Sequence, residues 1–64
     1  MESERAFSCG NSKYYVIECS GCFIVRRQDW LTRTFIGYAH GIAEALTLIR
    51  QNAGSSTIRT IAAS

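Results

Sequence analysis

The 64-residue chain is expected to fold as an α+β domain, a small, mainly antiparallel sheet of three or four strands packed on one helix in the order β-β-β-α-β. Two observations carry this expectation. The stretch from Gly41 to Gly54 has helical periodicity. Ahead of it lie short runs of aromatic and β-branched residues punctuated by turn residues, which is the signature of strands.

In the helical stretch, Ile42, Ala45, Leu46, Ile49 and Ala53 recur at helical spacing and form one apolar stripe. Glu44, Thr47, Arg50 and Gln51 fall largely on the other side. Gly54 stands where a left-handed closing residue is wanted, and Arg50 lies near the negative end of the helix dipole. His40-Gly41 offers no side-chain cap at the start. Leu48 falls off the main stripe and widens the apolar face. Such a stripe reads as a core helix.

Residues 1–12 are polar, with only Ala6 and Phe7 as an anchor, and are expected to form a partly mobile arm. The folded core is expected over 13–61. Lys13 to Cys19, with Tyr14-Tyr15-Val16-Ile17, reads as a strand. Ser20-Gly21 reads as a two-residue turn into a second strand, Cys22 to Arg27. That turn fixes the register, with Cys19 facing Cys22, Ile17 facing Ile24 and Tyr14 facing Arg27. One face then carries Tyr15, Ile17, Cys19, Cys22, Ile24 and Arg26. The other carries Tyr14, Val16, Glu18, Phe23, Val25 and Arg27. Gln28 to Thr32 is expected as a connection, Arg33 to Tyr38 as the third strand and Thr57 to Ile61 as the fourth.

Both faces of the predicted hairpin are substantially apolar, yet one helix covers only one face. The open face is therefore expected to be a contact surface, since lone monomers rarely expose large apolar patches. A protein partner is expected there, or a second copy of the chain in a homodimer.

Composition narrows the function classes. The chain has no Pro, is 47% hydrophobic and 19% charged, and carries a formal charge of +2. That is globular and mildly basic, short of the dense positive field of a dedicated nucleic-acid binder. The opening Met1-Glu2-Ser3-Glu4-Arg5 has no apolar run, and no segment is long and apolar enough to span a bilayer. A cytoplasmic protein with free thiols and no membrane partner is expected, since the three Cys are an odd number.

Catalysis needs a nucleophile, a base and an orienting group held together. Nothing in the sequence gathers them, so a non-enzymatic chain with no cofactor is expected. Cys19-Ser-Gly-Cys22 has the spacing of a zinc knuckle, with Cys9 and His40 as the remaining candidate ligands. A second knuckle is missing, so the plainer reading is two small side chains flanking a turn. Arg26, Arg27 and Arg33, with Trp30 and Tyr14, make a basic-aromatic cluster. Arg forks onto phosphate and aromatic rings stack on bases, so the cluster suits RNA or DNA. Trp, Tyr and Arg are equally the residues enriched at protein hot spots.

The runs Tyr14-Tyr15-Val16-Ile17, Cys22-Phe23-Ile24-Val25-Arg26-Arg27 and Ala43-Glu44-Ala45-Leu46-Thr47-Leu48-Ile49, in this order, resemble the small β-β-β-α-β orphan proteins of bacteria and phages, including stand-alone anti-CRISPR inhibitors. The resemblance implies an inhibitor that occludes a surface of a host nucleoprotein complex. The mildly basic charge argues against simple DNA mimicry.

Overall fold

The computed structural model describes residues 3–61. Its elements are β1 (Ser3–Cys9), β2 (Ser12–Cys19), β3 (Cys22–Asp29), β4 (Thr32–Ala39), α1 (Ile42–Ala53) and β5 (Ile58–Ile61). The α+β class holds, but the sheet has five strands, in the order β4-β3-β2-β1-β5. Every pairing is antiparallel.

The extra strand comes from the segment expected to be an arm. Ser3–Cys9 pairs with β2 along its whole length and also accepts β5. Its inward residues, Phe7 and Cys9, are buried. The intervening Ala6 and Ser8 are half-buried on the other side. Gly10, at φ 61, supplies the left-handed conformation that turns β1 into β2. The stretch expected as a connection is likewise mostly strand. β3 runs on to Asp29 and β4 begins at Thr32, which leaves only Trp30-Leu31 as the turn.

The β2–β3 hairpin has the register the two-residue turn dictates, from Cys19↔Cys22 to Tyr14↔Arg27. Ser20 and Gly21 both have positive φ, 52 and 82, as a type I′ turn requires. Because side chains alternate across a strand, this register puts Tyr14, Val16, Phe23 and Val25 on one face. The helix covers that face. The core comprises Phe7, Cys9, Tyr14, Val16, Val25, Ala39, Ala45 and Ile49.

The helix packs chiefly over β3 and β4. Ala45 and Ile49 are its buried residues, and Ile42, Leu46, Leu48 and Ala53 pack around them. The off-stripe Leu48 also packs against the core, with its Cδ1 over Gly37. Gly41 starts the helix without a side-chain cap, and Gly54 closes it at φ 68 with its N–H donated to Arg50 O. Near that end, Asn52 Oδ1 accepts hydrogen bonds from Tyr14 Oη at 2.8 Å and Arg27 Nη1 at 3.0 Å, tying the helix to β2 and β3.

One irregularity shapes the surface. The β3–β4 register shifts between Val25 and Arg26, so that Val25 faces Gly37 while Arg26 faces Phe35. Ile36 is the extra residue of a β-bulge. It packs inward against the core, and Phe35 and Tyr38, an odd number apart, thereby come out on the same face.

Candidate functional site

The face away from the helix has no covering element among the described residues. Pairing register orders it into rows running across the strands. At the end of the sheet near the Trp30-Leu31 turn, Arg59, Ser8 and Lys13 are direct neighbours, and Gln28 and Arg33 continue the row. The next row holds Ile61, Ala6, Tyr15, Arg26 and Phe35. The third holds Glu4, Ile17, Ile24 and Tyr38. Cys19 and Cys22 follow at the far end.

This surface is apolar towards the Ser20-Gly21 turn and basic towards Trp30. Phe35 and Tyr38 are exposed, at 50% and 66%, with ring centroids 4.9 Å apart in an edge-to-face pair. Ile17 and Ile24 lie half-buried beside them. Arg33 stretches across the face. Its Cζ lies 3.5 Å from the centre of the Tyr15 ring, and its Nη1 meets Glu4 Oε1 at 2.6 Å. That cation–π contact and ion pair fix one guanidinium and brace β4 against β1. Lys13, Arg26 and Arg59 share the face and have no ion-pair partner among the described residues.

The Trp30-Leu31 turn projects beyond the sheet. Trp30 is 96% exposed and Leu31 90%. Trp30 sits at φ 49, a region a bulky residue rarely enters. Side chains below hold the turn in place. Gln28 Nε2 donates to the carbonyls of Trp30 and Thr32, at 3.1 and 3.2 Å. Asp29 accepts from Arg27 Nε at 3.1 Å and from the Thr34 hydroxyl. The Thr34 hydrogen bond first, and Arg27 next, hold the Asp29 carboxyl below its ordinary pKa.

The basic-aromatic cluster expected from sequence is divided between the two faces. Arg26 and Arg33 stand on the open face and Trp30 at its end. Tyr14 leaves the candidate surface, because its ring is fully buried under the helix. Arg27 is on the helix side as well, engaged with Asp29 and Asn52. Period-two alternation separates Tyr14 and Arg27 from their chain neighbours. Tyr15, Phe35, Tyr38, Lys13 and Arg59 complete the surface and were not singled out as site residues by sequence. Tyr15 could have been, from the hairpin register. Tyr38 could not, because its face depends on the bulge.

The candidate zinc ligands are spread apart. Cys9 is buried near the Gly10 turn, with its Sγ 3.4 Å from Ser55 O. Cys19 and Cys22 flank the Ser20-Gly21 turn at the opposite end of the sheet. His40 is exposed, with its Nδ1 3.4 Å from Glu44 Oε1. No group of three or more His, Cys, Asp or Glu is placed to hold a metal among the described residues.

Two hollows lie at the margins. One of about 300 Å³ has a floor of Val16, Phe23 and Ile42, with Arg5 and Glu18 among its lining residues. The other, about 280 Å³, is lined by Ser8, Gly10, Ser55, Thr57 and Arg59. No described helix is long and apolar enough to cross a membrane.

No protein-family model, curated protein or solved structure matches this chain.

Proposed function

We propose that this chain is a non-enzymatic protein-binding module that docks through the open face of its sheet. The observation that carries the reading is the apolar half of that face, where Ile17, Ile24, Phe35 and Tyr38 stand side by side with no covering element among the described residues. A stable protein contact takes about 800 Å² from each partner. That is under a fifth of the 4512 Å² total surface, an amount one whole sheet face can supply.

The partner in this reading is a foreign protein, with a second copy of the chain as the other occupant. The resemblance drawn above gives the finer form: a cytoplasmic, phage-type inhibitor that occludes a surface on a host nucleoprotein complex. Its mechanism is steric. A rigid apolar sheet face covers the target, and the Arg26–Arg33 margin sets orientation through charge, which gives specificity more than affinity. RNA or DNA binding is the second reading, favoured by Lys13, Arg26 and Arg59 standing on the same face without ion-pair partners among the described residues.

A tagged chain used for capture from lysate of the source cell, with and without nuclease, tests the proposal against an Ile24→Asp variant. The expected result is a protein that survives nuclease and is lost with the variant by tenfold or more, as about 1.4 kcal/mol of lost hot-spot contact would give. Capture unaffected by Ile24→Asp removes the apolar half from the interface.

A further inference from the structure

The basic half of the open face and the projecting turn adjoin the apolar half that carries the protein-docking reading, and the inference drawn from them rests on the nucleic-acid reading above. We propose that this end of the molecule binds single-stranded nucleic acid, with Lys13, Arg26 and Arg59 on the phosphates and Trp30 stacked on a base.

Charge is the first support. Lys13, Arg26, Arg33 and Arg59 lie in the two rows nearest the turn, and no Asp or Glu lies in either row. The acid that reaches them, Glu4, comes from the third row and is spent on Arg33. The remaining three cations are free of ion pairs among the described residues. Chain totals hide this segregation, because Glu18 and Asp29 fall on the helix side of the sheet and Glu44 on the helix. The first row also ends at a polar hollow where Arg59 joins the residues Ser8, Ser55 and Thr57. Guanidinium and hydroxyl donors in a concavity suit a phosphate oxygen.

The turn is the second support. A large aromatic at 96% exposure in a left-handed conformation is strained, and strain of this kind persists where surrounding structure over-determines it. Here the Gln28 amide binds the Trp30 and Thr32 carbonyls, and the Asp29 carboxylate, bonded to Arg27 and Thr34, ties the strand ends that flank the turn. The backbone that carries the ring is thereby placed ahead of binding, which lowers the ordering cost of a contact. An unstacked base offers a π-face to such a ring, and a duplex keeps its base faces in its own stack. A bilayer taking Trp30 and Leu31 would meet only the end of the sheet and leave Arg26, one row back, unused.

Trp30 is the only Trp in the chain, so its fluorescence reports on the site directly. The probes are a single-stranded oligonucleotide of about 12 bases, within the range one small module covers, its blunt duplex, polyglutamate, and phosphatidylserine vesicles. The single strand is expected to quench Trp30, with a log affinity falling against log salt at a slope of about −2, the value for three neutralised phosphates. Lys13→Glu with Arg59→Glu should bring that slope to about −1 or flatter and weaken binding at least tenfold. With a labelled oligonucleotide, Trp30→Ala should weaken binding about five- to a hundredfold, and Trp30→Phe should recover part of the loss. No response to the single strand overturns the proposal, as does an equal response to the duplex, polyglutamate or vesicles. So does binding indifferent to either set of substitutions in chains whose circular dichroism is unchanged. Loss of oligonucleotide binding leaves capture through Ile24 intact if only this inference is wrong.

Discussion

Asp29 illustrates how single residues set the shape of the candidate surface. Its carboxylate accepts from Thr34 and Arg27 at the base of the projecting turn, and those contacts depress its pKa. A depressed folded value means the stabilisation is present above the unfolded pKa and is lost as pH falls through the folded one. The stability gap between the native chain and Asp29→Asn should therefore be full at neutral pH and close in acid, below the ordinary carboxylate range. Denaturant midpoints of both chains across an acid series check this. A gap that stays constant into acid would mean that Asp29 acts through packing. The effect will be small, because both partners are more than a third exposed on the side chain and solvent screens them. The residue type of Trp30 marks it as a hot-spot or stacking candidate, but its left-handed φ follows from where the two strands end, which composition does not state.

At the scale of elements, the helix is the part of the fold most legible in the sequence, because its evidence is local. Stripe, exposed side and closing glycine all follow from spacing along one segment, and Ala45, Ile49 and Gly54 occupy the expected roles. The β2–β3 register was legible for the same reason, since a two-residue turn leaves one pairing. β1 was not. Of its helix-side residues Ser3, Arg5, Phe7 and Cys9, only the last two are apolar and buried, so its hydrophobic alternation is faint. Gly10-Asn11, a dipeptide suited to a tight hairpin, was the available signal. The β4 bulge was beyond reach, because it is a shift in pairing with β3, and a glycine inside a strand pattern, here Gly37, is only a weak local signal for it. Ile49 lies fully buried between the helix and the sheet. Ile49→Ala should cost about 2–5 kcal/mol, the transfer term plus the cavity it leaves. Urea unfolding measures this. A loss below about 1 kcal/mol would mean the site collapses around the change, or that the helix is not what closes the core.

For the molecule as a whole, the decisive property is asymmetry. One helix covers one face of a five-stranded sheet, and the uncovered face is apolar at one end and basic at the other. A sequence tally of charge reports a mildly basic chain, and only the register shows that the cations gather. The candidate site was legible to the extent that hairpin alternation assigned Tyr15, Ile17, Ile24 and Arg26 to one face. Grouping Tyr14 and Arg27 with them was not sustained, because neighbours in sequence lie on opposite faces of a strand. In the proposed function the molecule meets its partner with the uncovered face. Site-specific photo-crosslinking in the source cell tests it most directly, with benzoylphenylalanine placed at Phe35 on the open face or at Thr47 on the exposed side of the helix. A discrete protein adduct is expected from position 35, whether a foreign chain or a second copy, and none from position 47. An adduct from position 47 with none from position 35 would contradict this expectation and move the binding surface to the helix.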